Sequence, residues 1–248
     1  MIVRGGRAIY GESVGILVLD TKFPRIPGDI GNATTFGFPV RYKVVPGASP
    51  EQIVAAPDRA RALLPSFIEA ARELERDGVR AITTSCGFLT VVQDEIAEAV
   101  SVPVITSSLF LVPLLRRMLG PKRSIGVLTA DAHNLSDDHL RAAGIEPGWR
   151  LLVRGMQSSP SFGIILGAGN DPDYALDVDQ IRHDVVAACL AMQAEAPDLG
   201  ALLFECTNLQ PYASAVQAAT GLPIFGIYHA VNLLHSAAVS PNFMHGYL

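Results

Sequence analysis

Cysteine is scarce in this sequence: three residues in 248, at positions 86, 189 and 206. So few and so widely spaced, they cannot build a disulfide framework. With no C-x-x-C pair, structural zinc and thioredoxin-type redox chemistry lack their ligands. In a reducing compartment such cysteines are free thiols, either inert in a core or reactive. Charge is also sparse. Charged residues make up 17% of the chain, the net charge is −5, and the basic residues are scattered. No run of them would track a phosphate backbone, so nucleic acid is not an expected partner. Long apolar runs are missing too. The most apolar segment, Val100 to Leu115, is interrupted by Pro103, Thr106, Ser107, Ser108 and Pro113, which falls short of a membrane span. The opening MIVRGGRAIYGES lacks the apolar stretch of a signal peptide, and the expected location is cytoplasmic.

What is present is a compact α/β pattern. Nearly half of the residues, 49%, are apolar, enough for a substantial core in one large domain or two lobes. Short apolar runs recur: GILVL (15–19), AITTS (81–85), VPVIT (102–106), SIGVLT (124–129), WRLLV (149–153), GALLFE (200–205) and LPIFGI (222–227). Continuous rather than alternating runs suit strands covered on both faces, as in a parallel sheet. Helical patterns lie between them. Ala60 to Arg76 presents Leu63, Leu64, Phe67, Ile68, Ala71 and Leu74 on one face and stops at Gly78, with Pro65 marking a kink or a later start. Thr90 and Gln93 have capping-box spacing for a helix to about Val100, and Ile181–Ala196 and Pro211–Thr220 are two more helices.

The two halves repeat each other. Val14-Gly15-Ile16-Leu17-Val18-Leu19-Asp20 matches Ile125-Gly126-Val127-Leu128-Thr129-Ala130-Asp131, and Ala81–Cys86 matches Ala201–Cys206. Val102-Pro103-Val104-Ile105 matches Leu222-Pro223-Ile224-Phe225, and each proline follows its half's cysteine by 17 residues. The order and spacing predict two similar doubly wound parallel-sheet lobes about a pseudo-two-fold axis. The first would take residues 1–118 with 228–248, and the second 119–227. Ligands of such sheets bind beyond the carboxyl ends of the strands. Cys86 and Cys206 each end a strand before a helix, so both are expected on one cleft between the lobes. There, one thiolate can remove a proton from a stereogenic carbon and the opposite thiol return one to the other face.

Thr84-Ser85-Cys86-Gly87 and Glu205-Cys206-Thr207-Asn208, in matching halves of a chain of this length, resemble the aspartate/glutamate racemase superfamily. Its members include amino-acid and hydantoin racemases, maleate isomerases and arylmalonate decarboxylases. The resemblance covers essentially the whole chain. It implies two doubly wound lobes, no pyridoxal phosphate or other cofactor, and no metal. Asp20-Thr21 falls where the family has a polar substrate-contacting loop. The amino-acid racemases follow their first cysteine with Asn-Thr, which helps hold the substrate's α-carboxylate. Here Gly87-Phe88 stands instead, so a bulkier, less polar acid or a cyclic amide is expected ahead of free aspartate or glutamate.

The expected activity is a cofactor-independent racemisation or epimerisation α to a carboxylate or amide, with Cys86 and Cys206 as the two bases. A decarboxylase or cis–trans isomerase of the same superfamily is the alternative. A non-catalytic two-lobed small-molecule binding protein is the alternative from another class. Substrate contacts are expected from Asp20, Asn32, Thr84, Ser85, Gly87, Thr129, Thr207 and Asn208. Helix N-termini after the cysteines would support a thiolate and a developing enediolate. Glu205 or Asp20 could act on a thiol's proton or orient a substrate ammonium. Asn32, Arg41 and Tyr42 are read as a long Gly/Pro-rich loop, with Arg41 a candidate partner for a second carboxylate. Cys189, on an apolar helix, is read as core. Asp131, His133, Asp137, Asp138 and His139 cluster without any metal-motif spacing. Gly163–Gly169 looks like a phosphate loop but lacks the following Lys-Ser or Lys-Thr, and reads as a turn. The partner is a small carboxylate or cyclic amide, with a homo-oligomer left open.

Overall fold

In the computed structural model, residues 2, 5–54, 57–162, 171 and 173–241 are described; the Gly163–Gly169 run lies outside them. The apolar runs form two four-stranded parallel sheets. The first contains β1 (Val14–Leu19), β2 (Val40–Val45), β3 (Ala81–Thr84) and β4 (Val104–Ile105). The second contains β5 (Ser124–Thr129), β6 (Leu151–Gly155), β7 (Leu199–Phe204) and β8 (Ile224–Gly226). Their strand orders, β2-β1-β3-β4 and β6-β5-β7-β8, are the same topology written twice.

The repeat holds residue by residue. Val14 pairs with Val40 and Ala81, and Ile125, its match, pairs with Leu151 and Ala201. Ile82 pairs with Val104 as Leu202 pairs with Ile224. The central strands β1, β3, β5 and β7 are buried along their whole length, which explains their unbroken apolar sequence. Gly15 and Gly126 are glycines for one reason. A Cβ would come within 2.8 Å of Leu74 at the first and 2.7 Å of Leu202 at the second, so each strand carries a helix or neighbouring side chain where its own would stand.

Helix Leu64–Asp77 starts at the Pro65 turn and ends on Gly78 in the left-handed region at φ 100°, as Pro and Gly direct. Phe67, Ala70, Ala71 and Leu74 face the first core. Helix Val178–Glu195 is capped by Asp177, whose carboxylate accepts from the Gln180 amide at 3.0 Å. It buries Ile181, Val185, Cys189 and Met192 in the second core. The last helix, Ile227–Ala238, follows β8 but contributes Ile227, Ala230, Val231 and Leu234 to the first core.

Three local expectations are corrected. The segment around Arg41 and Tyr42 is strand β2, not loop. The Thr90/Gln93 capping box does not form. Residues Gly87–Val92 first make a 3-10 turn, and Thr90 donates to the Gly87 carbonyl at 2.6 Å. The Gln93 amide instead ties down β4, donating to the Val104 carbonyl and accepting from the Thr106 N–H. Pro211 likewise sits in a 3-10 turn, Thr207–Tyr212, and the helix proper is Ala213–Thr220. Among the described residues no helix is long and apolar enough to cross a membrane.

Candidate active site

Parallel strands deliver their carboxyl ends to one edge, and here the two edges meet. Cys86 follows β3 and Cys206 follows β7, each opening a 3-10 turn, Gly87–Val92 and Thr207–Tyr212. The Ser85 amide donates to the Leu17 carbonyl at 2.9 Å and the Glu205 amide to the Leu128 carbonyl at 2.8 Å. Both cysteines are thus held by the same backbone ladder. The seam between the lobes is closed by hydrogen bonds. Thr207 donates to the Ser85 carbonyl at 2.8 Å, and Ser108 to the Phe204 carbonyl at 2.8 Å.

Both thiols line one cavity of about 30 Å³, measured as the volume open to a water's centre, room for one or two waters. Its walls from the strand ends are Ser85, Cys86, Gly87, Glu205, Cys206 and Asn208. Its cover is the β1–β2 connection, which contributes Thr21, Phe23 and Arg25. Arg25 donates to Asp29 at 2.9 Å and Thr21 at 2.7 Å, and its guanidinium lies over the Phe23 ring at 4.2 Å. Asp29 in turn accepts from Asn208 at 2.6 Å. The cover of the first lobe is thereby tied to the turn that follows Cys206, whose thiol donates to the Asn208 amide oxygen at 3.6 Å.

The site is small and carries a buried acid. Burial pushes the Cys86 thiol up to about 12, with the Glu205 charge adding to it and the Phe88 N–H and Arg25 opposing it. Burial and the same carboxylate hold the Cys206 thiol well above its ordinary range. Glu205 has no exposed surface. Its Oε2 accepts the Thr129 hydroxyl at 2.6 Å, while Oε1 has no hydrogen-bond partner. Burial lifts this carboxyl to about 7 against the Thr129 hydrogen bond, which lowers it.

Of the ten residues expected from sequence, Cys86, Cys206, Ser85, Gly87, Thr207 and Asn208 line the cavity. Four lie outside its wall. Thr84 is buried and donates to the Thr106 carbonyl. Thr129 supports Glu205. Asn32 holds the cover together by donating to the Arg25 carbonyl. Asp20 pairs with Lys22 at the surface. Arg41 bridges Glu12 and Asp77 beyond the opposite ends of the strands, so it has no cavity carboxylate to meet. The space that a side chain at Gly87 would occupy is filled by Glu205, whose Oε1 would lie 2.1 Å from a Cβ there. Phe88 is buried with its ring edge-on to His139, which itself closes a capping box with Ser136. Among the described residues no group of three or more His, Cys, Asp or Glu is arranged to hold a metal. Phe23, Arg25 and Asp29 went unread in the sequence because a loop has no periodicity to point its side chains.

No protein-family model matches the chain. A dimethylsulfoniopropionate lyase of Durusdinium sp. clade D is 32% identical over 224 residues, 88% of this chain and 72% of that one. Dimethylsulfoniopropionate lyase 7 of Emiliania huxleyi (strain CCMP1516) is 31% identical over 242 residues, 93% and 69% of the two chains. The chain belongs to the dimethylsulfoniopropionate lyase family. Solved structures agree on the fold. A Gly74Cys mutant of arylmalonate decarboxylase superposes with a TM-score of 0.59 at 19% identity, covering 90% of this chain and 93% of that one. Picrophilus torridus aspartate racemase gives 0.56 at 15%, covering 92% and 94%. The fold is that of the aspartate/glutamate racemase superfamily, as expected. The racemase activity is not: this family's members are named lyases, and the expectation of an isomerase is overturned on that finding.

Proposed function

We propose that this chain cleaves dimethylsulfoniopropionate by β-elimination, with a thiolate of the Cys86/Cys206 pair as base. The substrate carries a carboxylate at one end and a sulfonium on the carbon β to it. The base takes a proton from the carbon next to the carboxylate. The C–H electron pair becomes the new C=C bond, and the C–S bond breaks with its pair going to sulfur. The products are acrylate, dimethyl sulfide and a proton.

The observation that carries this reading is the pairing of two thiols, Cys86 buried and Cys206 half-buried, with a single cation, Arg25, on the wall of one small cavity. Arg25 suits the carboxylate, and its fixed charge would stabilise the enediolate character that develops as the proton leaves. The aromatic side chain of Phe88 on the wall suits a sulfonium, which is attracted to aromatic rings; the Phe23 ring is already met by Arg25. That cation also opposes the high proton affinity of Cys86, since a positive charge beside a thiol favours the thiolate. The Thr21–Arg25 cover lies over this cavity, and its parting and reclosing would admit substrate and then exclude water from the reacting atoms. The test is to incubate the purified chain with dimethylsulfoniopropionate. Dimethyl sulfide is read by headspace gas chromatography and acrylate by liquid chromatography. Equimolar release of both is expected, lost when both cysteines are serine. Their absence from the wild-type reaction overturns the reading.

A further inference from the structure

The two half-sites are built alike, and their differences are grouped in space. By register, Val18 answers to Thr129, Ser85 to Glu205, Cys86 to Cys206 and Gly87 to Thr207. In the first half the residue before the cysteine is Ser85, whose hydroxyl accepts the Leu19 amide at 3.0 Å. In the second half it is Glu205, which reaches across the seam. A Cβ on Gly87 would lie 2.1 Å from Glu205 Oε1 and 2.7 Å from its carbonyl oxygen. Thr129 supplies a donor where Val18 has none, and Gly87 leaves the room that Thr207 does not. All three departures serve one carboxylate, whose unpartnered oxygen is buried at the cavity that both thiols share.

An isomerase returns its proton to the substrate, whereas an elimination does not. For every acrylate formed, one proton stays on the base and must leave before the next turnover. We propose that Glu205 takes this proton from the cysteine base through Oε1 and passes it to solvent as the products depart; this rests on the elimination reading above. In the step, the S–H bond breaks with its electron pair remaining on sulfur, and an O–H bond forms on the carboxylate. The carboxyl proton then goes to water admitted when the cover opens, restoring the carboxylate. Nothing is oxidised or reduced. The groups that face Glu205 are the Cys86 and Cys206 thiols and the Thr129 hydroxyl, with Arg25 on the cavity wall and Asp29 beyond Asn208. The Glu205 charge raises both thiols. Moving a proton from thiol to carboxylate removes that opposing charge as the thiolate forms, so the pair titrates as a unit.

The experiment is kcat for dimethyl sulfide release from pH 5 to 9 in wild type, Glu205→Gln and Thr129→Val. Wild type should show an acid limb centred near 7. Thr129→Val, deprived of the hydrogen bond that lowers Glu205, should move that limb to higher pH by about half a unit or more. Glu205→Gln should lose the limb and about 100-fold in kcat, with KM within about threefold of wild type. A Glu205→Gln kcat within about fivefold of wild type, or a limb unmoved in Thr129→Val, overturns the proposal. Should Glu205→Gln not fold, the other two profiles decide. Dimethyl sulfide released with no acid limb in wild type overturns this proposal alone. No dimethyl sulfide from wild type at any pH overturns it together with the elimination reading.

Discussion

Gly87 is not in the left-handed backbone region, so its lack of a side chain answers to space rather than to backbone strain. A methyl group there would stand 2.1 Å from Glu205 Oε1, 2.8 Å from Cδ and 2.7 Å from the carbonyl oxygen. The carboxylate could swing aside only by giving up Thr129, and the carbonyl belongs to a residue whose amide is fixed to Leu128 at 2.8 Å. Relief therefore has to come from the seam, where Thr207 holds the Ser85 carbonyl. Overpacking by one methylene in a close-packed core costs about 1–3 kcal/mol, and a clash with backbone belongs at the top of that range. Gly87→Ala should thus cost roughly 3 kcal/mol and lower Tm by roughly 6–12 °C for a chain of this size. In the double variant Gly87→Ala/Glu205→Ser, the two side-chain contacts vanish and the carbonyl contact remains. Its stability should exceed the sum of the single effects by about 1–2 kcal/mol. Thermal unfolding followed by circular dichroism reads all four proteins. A Gly87→Ala Tm within about 1 °C of wild type, or strict additivity, would refute the account of this seam.

Elimination needs one base, so Cys86→Ser and Cys206→Ser should differ. One should lose about 10³-fold or more in dimethyl sulfide release and the other retain readily measured turnover; matching activities in the two would refute a single-base reaction. Cys189→Ala, in the second core, should leave kcat and KM at wild-type values, and a large kcat loss would place that thiol in the chemistry. Stability should also report Glu205. Its carboxyl is raised from 4.5 to about 7 on folding, so the folded chain holds a proton that the unfolded chain releases. That contribution is complete below pH 4.5 and is lost as pH rises through 7, a span worth roughly 3 kcal/mol. Glu205→Gln should therefore be the more stable protein at pH 8 by up to that amount, relative to their difference at pH 4.5. Urea unfolding at the two pH values checks this, and an unchanged difference refutes it.

Much of this fold was legible because buried parallel strands must be continuously apolar. The repeat was legible because both sheets use the same register, down to Gly15 and Gly126. Strand β2 escaped notice as an edge strand whose Arg41 and Lys43 point to ion pairs with Glu12, Asp77 and Glu73. Its sequence, VRYKVV, lacks the apolar continuity that marked the others. Thr90 and Gln93 had the spacing of a cap, yet Thr90 serves the tight turn that the chain makes on leaving Cys86, and Gln93 is taken by the β4 segment. The cysteines could be placed because strand ends are predictable. The cover that completes their cavity could not, since Phe23, Arg25 and Asp29 belong to a connection whose path is set by the Arg25–Asp29–Asn208 chain of contacts.

Why the same residues supported the wrong reaction has a chemical answer. Removing a proton beside a carboxylate opens both racemisation and elimination, and a pair of thiols in one cleft speaks only to that first step. The second step depends on the substrate's β substituent, which the two cysteine motifs do not report, and on the fate of the proton, which other residues do. Matching the halves for likeness located the thiols. Matching them for difference isolates Thr129, Glu205 and Gly87 against Val18, Ser85 and Thr207. A two-base exchange has nearly equivalent demands on its two faces, because each thiol must serve in both directions. A buried acid on one face alone, costly to ionise and given its own donor and its own glycine, biases the site toward moving protons one way. In a duplicated fold, departures from the repeat at the strand ends are therefore the positions to read for direction, as the shared pattern is the one to read for place.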